Sequence, residues 1–217
     1  MTADFDKLLL FSLALLKQTT DKRDMTQIFG DFNEQLPPSE EYLVIQFSPS
    51  SIPLKQRWRN NGLSADFMAD YVVTFFPTNQ EDTNATAQQV EIKSAVSYIA
   101  NELLENAMKF NDDTSPQPIS IALHLYNDSL VFLTKNTVPP PILDDFQAYL
   151  QQLTTSDPQE LYIHQLEQNA ADETSTASRL GFLTMINDYM ATVGWKFETL
   201  AKTPPVTTVT TMVRLMV

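Results

Sequence analysis

The stretch "NELLENAMKF", Asn101 to Phe110, decides how this chain is read. Glu102 stands four residues before Asn106, and Lys109 three after it, so on a helix the three polar side chains emerge along one face. Upstream, Ile92, Val96, Ile99, Leu103, Ala107 and Phe110 recur at spacings of three and four. That pattern predicts a helix over about 87–110 with one buried stripe. The polar face is then either solvated, with Glu105 and Lys109 as an ordinary i, i+4 pair, or it holds a carboxylate, an amide and an amine one turn apart for chemistry.

Composition narrows the chemistry. The 217 residues carry 27 acidic against 14 basic side chains, a formal charge of −13. A field of that sign repels phosphate backbones and anionic lipid, which argues against nucleic-acid and membrane partners. Lys55, Arg57 and Arg59 around Trp58 form a small basic island that reads as a solvated loop. There is no cysteine, and His124 and His164 are the only histidines, so disulfides, thiolate sites and paired-histidine zinc sites are excluded. The run "LLLFSLALL" (Leu8 to Leu16) falls short of the roughly 20 residues that span a bilayer. Its acidic leader is wrong for a secretory signal, so a buried helix and a cytoplasmic location are expected.

Along the chain, residues 5–36 read as helical and Pro37-Pro38 end that unit. "YLVIQF" (Tyr42 to Phe47) reads as a strand. "RNNGLS" reads as a turn with a helix N-cap at Ser64, and "YVVTFF" (Tyr71 to Phe76) as a strand or a buried helix end. The polar segment 78–87 marks a boundary between an N-terminal α/β extension (1–80) and a second unit (85–217). Past the long helix, "ISIALHLY" alternates, with Ile119, Ile121, Leu123 and Leu125 on one face, and "NDS" turns it into "LVFLTKN" as a hairpin. His124 is then a sheet-face residue. Residues 141–170 read as helical, with an N-cap at Ser156 or Asp157 ahead of a proline. "ADETSTAS" reads as a loop, Arg179 to Ala191 as an amphipathic helix, and "GWKFETL" and "VTTVTTMVRLMV" as closing strands. Asp112-Asp113 and Asp144-Asp145 read as turn and helix-start residues. This order fits an α+β fold with helices packed on one face of a mixed β-sheet.

Glu102, Asn106, Ala107, Lys109 and Phe110 together resemble the N-box of the GHKL superfamily. These are the histidine-kinase-like ATPases of the Bergerat fold, which also include anti-sigma-factor serine kinases, gyrase and heat-shock chaperone ATPases. The element order from about residue 85 to the C-terminus is similar too, and the helical stretch before Gly181 is closest to SiaB-like serine kinases. The resemblance implies Glu102 as general base or water-orienting acid and Asn106 as the Mg²⁺ ligand of bound ATP, with Lys109 meeting phosphate charge. After the hairpin the family has Asp-x-Gly-x-Gly; here "KNTVPPP" puts Asn136 at the Asp position, with prolines in place of glycines. The family's glycine loop reads "STASRLGFLTMI", which retains Gly181, with Arg179 as a charged substitute for backbone donors. Thr210 on the last strand falls where the family has a threonine near adenine. Residues 141–178 would then be a lid over nucleotide.

Two functions follow as expectations. One is an ATP- and Mg²⁺-dependent serine/threonine kinase or anti-sigma-type switch acting on a small regulatory protein partner. The other is a catalytically inactive pseudo-kinase that serves as an interaction scaffold, since the glycine boxes are degenerate. The helix 5–16 offers a means of homodimer formation.

Overall fold

Strict alternation builds the centre of the molecule. In the computed structural model, which describes residues 25–48, 58–76, 83–171, 179–200 and 205–217, Ile119–Leu125 forms strand β3 and Ser129–Val138 forms β4. Ile119, Ile121 and Leu123 are fully buried on one face. β3 and β4 pair antiparallel around the expected Asn127-Asp128 turn. The run 8–16, the basic residues Lys55 and Arg57, and the loop residues 172–178 lie outside the described residues.

Four further strands complete one sheet: β1 (Met25–Gly30), β2 (Glu41–Phe47), β5 (Thr192–Leu200) and β6 (Val206–Met216). Their order is β1-β5-β6-β4-β3-β2, and every pairing is antiparallel. The class is therefore α+β with helices layered on a sheet, as expected, but the sheet is antiparallel where a mixed one was anticipated. No parallel crossover exists among the described strands, because the N-terminal strands join the two edges instead of the interior.

Helix α1 (Trp58–Val73) packs on α2 (Thr83–Lys109), and α2 lies over β3 and β4. The stripe Ile92, Val96, Ile99, Leu103 and Ala107 is buried as its spacing required. α3 (Pro140–Thr155), α4 (Pro158–Ala171) and the short α5 (Gly181–Asn187) complete the layer beside them. Asp157 caps α4: its Oδ1 accepts from the backbone N–H of Gln159 (2.9 Å) and Glu160 (3.0 Å), with Pro158 at the first helical position.

Three local expectations are corrected by packing. The "RNNGLS" turn, with its cap at Ser64, is absent: α1 runs through Gly62 because Ala65, Met68, Ala69 and Val72 bury one continuous helical stripe. The same stripe makes Tyr71–Val73 helix and not strand. Met25–Gly30, expected as helix, is an edge strand held by β5, with Phe29 edge-on to Phe197 at 5.7 Å. Gly30 ends it at φ +63, where an added Cβ would collide with the Val193 carbonyl. α5 is shorter than the 179–191 span expected, and Met190 turns out of it at φ 51.

Because β1 and β2 sit on opposite edges, the connection between them crosses the sheet face opposite the described helices. Five strand spacings of about 4.8 Å make roughly 24 Å, within the ~33 Å that about ten extended residues can reach. The crossing is pinned at both ends. Asp31 N–H donates to Val193 O at 2.9 Å, and the Phe32 backbone lies so close over Gly194 that no side chain fits there. The Tyr126 hydroxyl donates to Pro37 O at 2.9 Å, and Ser39 Oγ donates to Leu125 O at 2.9 Å. Between them Lys196 bridges Glu34 (2.8 Å) and Glu198 (3.1 Å), and those two hydrogen-bonded carboxylates hold its ammonium above the usual lysine range. Burial pushes the Glu198 carboxyl up, but Lys196 and Lys135 outweigh it and hold it below the usual range.

Candidate functional site

Between α2, α3 and α5, floored by β4 and β6, lies a cavity of about 430 Å³. That falls within the roughly 300–1,000 Å³ typical of small-ligand sites. Six of the residues singled out from sequence line it: Glu102, Asn106, Lys109, Asn136, Arg179 and Gly181. The α2 register brings Glu102, Asn106 and Lys109 to the opening because the positions between them, Leu103 and Ala107, are committed to the core.

Thr210 does not belong to this group. It pairs in register with Lys135 and Lys196 on the face crossed by the β1–β2 connection and lines the shallow groove beneath that connection. Its neighbours Val209 and Thr211 face the cavity instead. In a strand a shift of one residue exchanges faces, and a threonine-rich stretch hides which position points inward.

Glu102 is half-buried, and burial, aided by the neighbouring Glu105 charge, raises its carboxyl above the usual carboxylate range. Its Oε2 rests so close to Gly181 that a Cβ there would collide with it. Gly181 is therefore kept small by the carboxylate it packs against. Asn136 is buried, and its Nδ2 donates to Thr137 O at 3.0 Å, which leaves Oδ1 as the acceptor the amide can offer. Asn111 fixes this strand end: its Oδ1 accepts from Thr137 N (3.2 Å) and Thr137 Oγ1 (2.9 Å).

Arg179 precedes α5 with φ 54, a left-handed conformation that a side chain other than glycine adopts at a cost. Two contacts hold it there. The Tyr149 hydroxyl donates to Arg179 O at 3.0 Å, and the guanidinium lies 5.4 Å from the centre of the Tyr149 ring. Burial pushes the Tyr149 hydroxyl up to about 12, although Arg179 opposes the shift, so it remains a donor at any physiological pH.

Sequence reasoning missed the aromatic wall and the second polar residue of the floor. Ile142, Phe146 and Tyr149 project from α3 at spacings of four and three, within a stretch read from sequence as helical and polar, so this apolar stripe went unread. Phe146 lies nearly parallel to Phe110 (centroids 6.5 Å, 18°) and edge-on to Phe197 (5.6 Å). Asp145, expected only as a helix-start residue, also faces the opening. Thr134 shares the Asn136 face by the two-residue period; it is 1% exposed, and its Oγ1 has no hydrogen-bond partner. A buried hydroxyl in that state costs about 1–3 kcal/mol unless a ligand satisfies it.

The hydroxyl yields a prediction with two opposite signs. Thr134→Val should stabilise the ligand-free protein, raising its melting temperature by about 2–4 °C per kcal/mol recovered. The same change should weaken by roughly 2–10-fold, the worth of one hydrogen bond, the affinity of any ligand that bonds to this hydroxyl. Thermal denaturation with and without ligand reads both.

No protein-family model matches this chain, and no curated protein matches it significantly. Among the described residues no three His, Cys, Asp or Glu side chains converge on a possible metal position. A divalent ion here would therefore take Asn106 and complete its shell with water and ligand oxygens. Mg²⁺ accepts that arrangement, whereas a cation requiring an all-protein cage does not. Among the described residues, no helix is long and apolar enough to cross a membrane.

Proposed function

We propose that this chain is a divergent ATP-binding regulatory protein of the histidine-kinase-like type that transfers phosphate to a serine or threonine of a small protein partner. The observation that carries the reading is the convergence on one cavity of six residues chosen from sequence alone, beside a buried hydroxyl that lacks a partner. Bound ATP with Mg²⁺ would supply the transferable phosphoryl group.

The residues divide the remaining work. Asn136 Oδ1 and Thr134 Oγ1 offer an acceptor and a donor to a base edge, with Phe110 and Phe146 supplying apolar surface. Lys109 and Arg179 bring positive charge to a cavity that otherwise holds Glu102, Glu105 and Asp145. Glu102, with its proton affinity raised toward the working pH, suits removal of a proton from an attacking hydroxyl. Asn106, one turn on, suits a magnesium ligand.

Titration calorimetry with Mg-ATP tests the reading. Saturation at about a hundred times the dissociation constant should add ~2.7 kcal/mol, or roughly 5–10 °C in melting temperature. No heat and no thermal shift at millimolar nucleotide would overturn it. The scaffold reading is favoured by one observation: Pro139, Pro140 and Pro141 stand at the start of α3, where they remove backbone donors that a phosphate would use. Binding of nucleotide without turnover would select that alternative.

A further inference from the structure

We infer that the open edge of β2, together with the exposed side of α1, is an interface between two copies of this chain. β2 ends the sheet, and its only neighbour among the described strands is β3. Edge strands are commonly blunted by lysine, proline or a bulge. Glu41–Phe47 reads "EYLVIQF", has neither lysine nor proline, and pairs with β3 in unbroken register. Tyr42 and Val44 are 59% and 53% exposed on one face, and on the other Leu43 and Ile45 are partly buried against the core.

α1 runs beside the same edge, on the side of α2 away from the ligand cavity. Its Asp66 and Asp70 reach toward α2, where they meet Ser97 and Lys93. Its Tyr71 reaches β2, with the hydroxyl 3.5 Å from Glu41 Oε2. On the open side, Leu63 and Phe67 are 70% and 54% exposed, and Phe75 just past the helix is 40% exposed. A helix with large apolar residues both inside and outside is one that expects a second partner.

A second copy fits in charge and in size. A two-fold axis through Val44 sets Tyr42 opposite Gln46, Leu43 opposite Ile45 and Glu41 opposite Phe47 of the other copy. No like charges face each other in that register. The two Glu41 carboxylates stand six residues apart along the strand, about 20 Å, beyond the ~8 Å over which physiological salt transmits charge. The same axis keeps both α1 helices on one side of the joined sheet and lays them antiparallel. The five exposed side chains, at about 150–250 Å² for each large residue, offer roughly 500 Å² per copy. Doubled, that reaches the ~1,000 Å² at which specific interfaces begin.

Sedimentation equilibrium of the full chain, from micromolar to sub-millimolar concentration, tests the inference. The expected result is a reversible dimer that Val44→Lys and Leu63→Lys each weaken at least tenfold. Ile163→Lys, an equally exposed change on α4, should leave it intact. Circular dichroism checks that the variants fold. A monomer across the whole range, or a dimer that either interface variant fails to weaken, would overturn it.

Discussion

Under the proposed function, Glu102→Gln is expected to lower phosphoryl transfer by about 10²–10⁴-fold, the contribution typical of a positioned general base, while Mg-ATP affinity changes little. Glutamine keeps the shape and the contact with Gly181 but cannot take a proton. Steady-state turnover and equilibrium nucleotide binding, measured on the same preparation, separate the two effects. If turnover persists in the variant, Glu102 is not the base, and another carboxylate of the opening, Glu105 or Asp145, becomes the candidate.

The same substitution carries a stability signature that depends on pH. Burial and Glu105 raise the folded-state Glu102 carboxyl above its ordinary 4.5. A group raised in the folded state contributes stability that is complete below the unfolded value and is lost as pH rises through the folded value. At neutral pH the native protein has therefore already lost that contribution, and the variant, with no charge to bury, should melt higher. The advantage should shrink as pH falls through the raised Glu102 value and be gone below about 4.5. A difference in melting temperature that does not change with pH would mean that the carboxylate is solvated in the folded chain.

Much of the sheet was legible because its signal is local. Ile119, Ile121 and Leu123 alternate, and the α2 stripe keeps its spacing for more than four turns, so period alone fixed element and face. What escaped was set by distant partners. Met25–Gly30 becomes a strand only because β5 offers it an edge, and the "RNNGLS" turn yields because α1 must cover α2. The site followed the same division. Glu102 and Asn106 stood out through spacing and Asn136 only through the family resemblance, while Phe146 and Tyr149 entered through the way α3 folds back over the sheet. Thr210 shows the finest limit: the strand was found, but register decides the face, and register belongs to the pairing with β4 and β5.

Trp195→Ala should be the most damaging single change to stability. Trp195 is fully buried on β5, set in register between Phe29 of β1 and Thr211 of β6, and its ring meets Phe182 edge-on at 5.0 Å. Truncating a buried tryptophan costs about 3–5 kcal/mol, which corresponds to a fall of roughly 6–20 °C in a domain of this size. Function should suffer as well, because Phe182 follows Gly181 and anchors the start of α5 against the sheet. With that anchor loosened, Gly181 and Glu102 lose their fixed separation, and nucleotide affinity should drop with the melting temperature. Trp195→Phe separates packing from any polar role of the indole. The Nε1 group is buried without a partner, so phenylalanine removes an unsatisfied donor while it keeps most of the contact with Phe182. It should recover most of the lost stability and affinity. If instead the alanine variant melts within about 2 °C of the parent, less than 1 kcal/mol is at stake, and α5 is held in place by something other than this aromatic pair.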